Sequence, residues 1–254
     1  MSRRTKRFLF LVLLILIGVV AAVAVVVAAK RRADLDTAEL HRKHDFMFVG
    51  VALSSYTETH SHYPAARVDG HSWRIRLLPY MWSSPQYEHY RFDLPWTAEG
   101  NVDLHTRPLQ GKAGAPRAWG HPYGPPLDHD PIGETPYLMV VGEDAFAHAT
   151  RPRKSDEITD GLENTIAVVE VVNSSVHWLS PVDLEFDSMS FKINDGPQSI
   201  SSSHPAGPMA LFADGVVFRL NPEIPAETVR ALCTINGGED LSRDALVEQG
   251  LLVP

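Results

Sequence analysis

The 254-residue chain carries 23 Lys and Arg against 31 Asp and Glu, a formal net charge of −8. Residues 1–32 hold seven of the cations and no acid, so residues 33–254 carry 16 against 31, a net charge of −15. An acidic domain counts against a nucleic-acid partner, which needs a basic surface for its phosphates, and the single cysteine, Cys233, excludes an intrachain disulfide or a CxxC metal or redox site.

The first element is an uncharged apolar run of 22 residues, Phe8 to Ala29. Arg3, Arg4, Lys6 and Arg7 precede it, and Lys30, Arg31 and Arg32 follow. As a helix it extends roughly 33 Å, enough to cross the ~30 Å hydrocarbon core of a bilayer once. A cleavable signal peptide has an apolar core of only about 7–15 residues. The run therefore reads as a retained transmembrane helix, residues 8–29, with the lipid bilayer as its partner. The flanking cations nearly balance. The remaining chain reads as an exported domain, which sets the basic residues 1–7 in the cytoplasm and the C-terminal domain beyond the inner membrane, in a single-pass arrangement.

Residues 30–60 continue as an amphipathic helix. Phe46, Val49, Leu53 and Tyr56 fall on one helical face, and the pattern stops at Thr59–Pro64. Residues 61–254 form the head. Its block 71–97 is rich in aromatics: Trp73, Tyr80, Trp82, Tyr87, Tyr90, Phe92 and Trp96. Ser72 is placed to cap a short helix that Pro79 limits. Residues 105–136 hold seven prolines and five glycines, too many for regular structure, and read as a long loop anchored by Trp119 and Tyr123.

Strand patterns come next. Tyr137–Val141 is short and apolar, and Thr165–Val172 is β-branched. Met209–Ala213 and Val216–Leu220 flank Asp214-Gly215, a hairpin signal in which both central residues are expected at positive φ. Sequential, closely spaced strands favour an antiparallel sheet. Ser180-Pro181-Val182-Asp183 predicts a capped short helix. Further helices are predicted from Pro225 to before Asn236-Gly237-Gly238, and from Arg243 to Gln249 with Ser242 as cap, a Leu241–Leu246 staple and Gly250 as stop. Cys233, among Val229, Ala231 and Leu232, reads as a small buried apolar residue.

In chain order, eight blocks resemble a bacterial domain-of-unknown-function family of pilin-like proteins related to type II secretion pseudopilin G. They are Gly50–Pro64, Asp69–Met81, Tyr87–Trp96, Tyr137–Phe146, Ile158–Val171, His177–Phe186, Phe212–Leu220 and Glu227–Glu239. The resemblance implies an α+β, pilin-like fold: a long N-terminal helix, half in the membrane and half packed on an antiparallel sheet with long loops. It implies no catalytic residues. The prepilin cleavage motif of the family is absent, since the apolar run contains no acid and its one glycine, Gly18, precedes Val19 and Val20. The glutamate that pairs with a neighbouring subunit in pilins is missing with it. The family's Cys-Pro segment is also absent from 105–136.

Chemical motifs are sparse. His60-Ser61-His62, with His71 nearby, is the tightest histidine group, but no H-E-x-x-H pattern exists. Asp183, Glu185, Asp187 and Asp195 alternate without forming a calcium-loop pattern. Ser201, Ser202, Ser203 and His204 read as a polar turn, and no G-x-S-x-G, Walker or dinucleotide fingerprint occurs. The expectation is therefore no cofactor, no metal and no catalytic residue. The chain reads as a non-enzymatic, secretion-apparatus-like or envelope-binding protein that meets protein partners through Trp73, Tyr80, Trp82, Tyr87, Tyr90, Trp96, Trp119 and Tyr123. Two rivals stand beside it: an envelope hydrolase with a His/carboxylate pocket, and a filament-forming subunit.

Overall fold

The computed structural model describes residues 3–81, 85–106 and 134–254. The chain divides into two compact units, residues 1–42 and 43–254, a boundary inside the segment 30–60. Helix α1 (Arg3–His60) runs without a break through the apolar run and the amphipathic segment. In the first unit the apolar residues from Ile15 to Val27 that are described are exposed. Among the described residues no helix is long and apolar enough to cross a membrane, and side chains 8–14 of the run lie outside those described.

In the second unit the expected helical face is the buried one. Phe46, Val49, Leu53 and Tyr56 are each at most 9% exposed, whereas Met47 and Val51 on the opposite side are about half exposed. The helix ends at His60, and Ser61, at φ 62°, turns the chain away with its amide donating to the Thr57 carbonyl (2.7 Å).

Strands β1 (Arg67–Val68) and β2 (His71–Ser72) make a small hairpin whose turn, Asp69-Gly70, has both residues at positive φ. Ser72 then caps α2 (Trp73–Leu77), its hydroxyl accepting from the Arg74 amide. Pro79 does not end the chain's helical course outright; it enters a 3₁₀ turn, Leu78–Tyr80. Two short helices follow, α3 (Pro85–His89) and α4 (Glu99–Thr106). Residues 105 and 106, expected in the loop, close α4; residues 107–133 of that loop lie outside the described residues.

The centre is a six-stranded sheet in the order β5-β3-β4-β6-β7-β8. Its strands are β3 (Tyr137–Val141), β4 (Ile166–Glu170), β5 (Leu184–Glu185), β6 (Met209–Phe212), β7 (Val217–Leu220) and β8 (Leu252–Val253). All pairs are antiparallel except β3–β5. The fold is thus α+β with an antiparallel-rich sheet.

Alternate residues of each strand serve two cores. Tyr137, Met139, Val141, Met209, Leu211 and Val217 join Phe46, Val49 and Leu53 of α1 and Trp73 and Ile75 of α2. Leu138, Val140, Ala210, Phe212, Phe218 and Leu220 face α5 (Ala226–Leu232), α6 (Arg243–Glu248) and the segment holding Met189 and Ile200. A register shift between Ile166 and Val168 puts Ala167 and Val168 in the same core, as a bulge does.

Three local expectations are corrected. No helix forms at Ser180–Asp183, because Leu184–Glu185 pair in parallel with β3 and the Asp183 carboxylate is claimed by the core. In the β6–β7 hairpin only Gly215 takes positive φ (87°): the Gly215 amide donates to the Phe212 carbonyl and the Phe212 amide to the Val216 carbonyl. That is a type I turn closed by a glycine bulge rather than a mirror-image turn. Ser242 stands at the start of α6 without a side-chain capping bond; Asn164 Oδ1 accepts from the Arg243 amide instead (3.0 Å). Cys233 is buried as expected, and burial pushes its thiol up to about 12.

Gly50 sets the approach of α1 to this hairpin. A Cβ there would meet Leu211 Cδ1 at 3.0 Å and the Gly215 carbonyl oxygen at 3.2 Å. Gly50→Val is expected to destabilise the head by about 1–3 kcal/mol, because backbone must move to admit it. Urea unfolding of the detergent-solubilised chain, followed by tryptophan fluorescence, measures this.

Candidate functional site

The aromatic block is held in place by a buried ion pair. Arg74 and Asp183 have side chains at most 1% exposed, with Nη2 donating to Oδ1 at 2.6 Å. The same oxygen accepts from Trp73 Nε1 (3.1 Å) and from the Met139 amide (2.9 Å). Arg74 Nε and Nη2 also donate to the Tyr137 carbonyl (2.9 and 2.7 Å), and Nη1 donates to Ser72 Oγ (3.0 Å) and the Ser180 carbonyl (3.3 Å). One guanidinium thus ties β2, α2, β3 and the approach to β5. Burial drives the Asp183 carboxyl upward and the Arg74 guanidinium downward, each opposed by the charge of the other.

A pair of this kind contributes little against an apolar replacement, yet breaking it strands a charge in the core. Asp183→Ala should cost about 3–5 kcal/mol, since it leaves Arg74 buried and uncompensated. Chemical denaturation compared with a double Arg74→Met/Asp183→Leu variant checks it: the double variant is expected to be the more stable of the two.

Around this tie the expected contact residues separate. Trp73 is fully buried and Tyr90 nearly so, so both belong to the core and not to a contact surface. Trp73 is held inward by its bond to Asp183, and Tyr90 by its bond to His71. His71 Nε2 lies 3.0 Å from the Phe92 carbonyl, which only accepts, so Nε2 carries the proton and Nδ1 accepts from the Tyr90 hydroxyl at 2.7 Å. Burial pushes the Tyr90 phenol up to about 12, with Arg76 opposing.

Tyr80, Tyr87 and Trp96 do reach the surface. Tyr80 is half-buried, Tyr87 is 37% exposed, and Trp96 stacks on His177 with ring centroids 5.5 Å apart. Trp82, Trp119 and Tyr123 lie outside the described residues.

Beside Tyr80 is a group that sequence spacing only half revealed. His60 Nε2 and the Tyr80 hydroxyl are 3.0 Å apart, and the rings of Tyr56, His60 and His62 pack together. His71, the third histidine of the sequence group, is instead turned to Tyr90 and Phe92. Among the described residues no three His, Cys, Asp or Glu side chains converge in metal-holding geometry.

The acids read as an alternating series are likewise divided. Asp183 is in the core, Glu185 pairs with Arg67 (3.0 Å) and Asp195 accepts from Ser190 Oγ (2.7 Å). Ser202 donates to the buried Glu170 (2.8 Å), while His204 Nδ1 accepts from the Ala206 amide (3.1 Å), so serine and imidazole serve different partners.

Sequence reasoning missed Arg74 as the organiser. Its signal was weak, since Arg74 and Arg76 alternate with apolar residues in Trp73–Leu78 and only the carboxylate facing Arg74 marks that one as the buried partner.

These features fall within a known family. The family described as Protein of unknown function (DUF1559) matches residues 47–193, more than half of the chain, and the chain belongs to it. Six of the eight resembling blocks lie inside that match; Phe212–Leu220 and Glu227–Glu239 lie beyond it. No curated protein and no solved structure matches the chain.

Proposed function

We propose that the chain is a membrane-anchored, non-enzymatic, pseudopilin-like envelope protein that works by contact with protein partners. The observation carrying this reading is the continuity of α1. One helix holds an uncharged run of 22 residues between cationic clusters and, further along, the apolar face that completes the head's core. An apolar run of that length suits lipid, and a head with net charge −15 is repelled by an anionic leaflet. The contact surface of this reading is the part of the aromatic block that reaches the surface: the exposed Tyr87 with the half-buried Tyr80 and Trp96.

Sodium carbonate extraction and protease accessibility of a C-terminal tag test the anchor. The full chain is expected in the membrane pellet with its tag accessible from outside; recovery in the soluble fraction overturns the reading. For the surface, Tyr87→Ala is expected to leave unfolding within about 0.5 kcal/mol of wild type, as exposed substitutions do. It should also reduce the yield of proximity-labelled neighbours severalfold. Unchanged labelling removes the aromatic block from the contact surface.

The filament-subunit reading is favoured by one feature. Met47 and Val51, an i, i+4 pair on the outward side of α1, are 49% and 57% exposed. Cross-linking through cysteines at these positions is expected to give homodimers if copies pack helix to helix, and monomers alone if they do not.

A further inference from the structure

We propose that His60 and His62 form an open two-imidazole site for a divalent transition-metal ion, with copper(II) preferred over zinc(II). Histidines two residues apart on a helix do not face one another. Here the helix ends at His60, and Ser61 takes the left-handed region at φ 62°. This single reversal swings His62 back beside His60, so that the two rings lie 5.8 Å apart and 33° from parallel. With metal–nitrogen bonds of about 2.0–2.1 Å, two adjacent imidazoles on one ion have centroids about 4.5–5.5 Å apart, so the pair closes on an ion with a small shift of the exposed His60 ring. A non-glycine residue in that conformation is uncommon and carries a local cost.

The tautomer of the second ring is set as well. His62 Nδ1 lies 3.0 Å from the Tyr63 carbonyl. A carbonyl only accepts, so Nδ1 carries the proton and Nε2 keeps its lone pair for a ligand. An imidazole N–H given to a backbone carbonyl is the usual support of a metal-binding histidine. His60 is exposed at the helix end and stacks on Tyr56 at 4.3 Å. Its Nε2 meets the Tyr80 hydroxyl at 3.0 Å.

The protein supplies two ligands, and the remaining positions belong to solvent or to a group from another molecule. That is the pattern of an exchangeable site, since structural sites close with four protein ligands. For an imidazole pair with open positions, the stability series of divalent ions places copper(II) first. Arg76 lies near enough to Tyr56 to oppose the rise of its phenol. The same positive charge opposes a dication, so micromolar binding is expected rather than anything tighter.

The test is isothermal titration of the full-length chain in detergent micelles with copper(II) chloride, and with zinc(II) chloride for comparison. Wild type is expected to take up one saturable copper(II) ion, more tightly than zinc(II). His60→Ala and His62→Ala should each weaken it about ten- to hundred-fold, and the double variant should abolish it.

The exchange variant Ser61→His/His62→Ser keeps all twelve histidines but moves one ring, and it should also lose the site. Electron paramagnetic resonance of the copper(II) complex should show nitrogen coupling from two imidazoles in wild type and from one in either single variant. Circular dichroism confirms that each variant is folded. Absence of a saturable site in wild type overturns the proposal. So does binding that survives in the double or the exchange variant, which marks uptake by other histidines.

Discussion

The six-stranded sheet buries side chains on both faces, and the rest of residues 43–254 is arranged by the need to cover it twice. The second half of α1 with α2 covers one face, while α5, α6 and the segment around Met189 and Ile200 cover the other. A sheet backed on one side only would show polar residues at alternate positions. Strands β3, β4, β6 and β7 have none of that alternation: nearly every residue is apolar and all are buried. The two exceptions are charged and satisfied. Glu170 accepts from Ser202 and the Met209 amide, and Arg219 donates to the Gly207 carbonyl.

Within that arrangement, the Arg74–Asp183 pair is the polar counterpart of the apolar cover. It sits where α2, β3 and the approach to β5 meet and bonds to all three. Six other hydrogen bonds of 3.3 Å or less surround it, while Asp183 Oδ2 is buried without a hydrogen-bond partner. The aromatic block inherits its division from this tie. Trp73 faces inward, and of the aromatic residues after the 3₁₀ turn Tyr90 is buried while Tyr87 is exposed.

Much of the architecture was legible beforehand because it rests on periodicity. The face Phe46–Val49–Leu53–Tyr56 repeats at helical spacing, and it is buried. Tyr137–Val141 is a strand with the bounds its apolar run suggests. Local signals that ignore the surroundings did less well. Ser180-Pro181-Val182-Asp183 has the chemistry of a helix start, yet the Asp183 carboxylate is taken up by Arg74, Trp73 and the Met139 amide. Ser242 has the right identity for a cap, yet a distant asparagine, Asn164, makes the bond.

Residue types and spacing by themselves determined an acidic head behind one apolar helical run, a strand-rich core without disulfides, and the punctuation of helices by Pro225, Gly250 and the Thr59–Pro64 turn. These are properties of one segment at a time, and short-range sterics and hydrophobic period are enough to settle them. Only the tertiary structure decided that the sheet is covered on two faces, that Arg74 and Asp183 meet across 109 positions of chain, and that His60 and His62 share a side while His71 does not. Such pairings depend on which distant segment reaches a buried group first and satisfies it best, and no local pattern encodes that outcome.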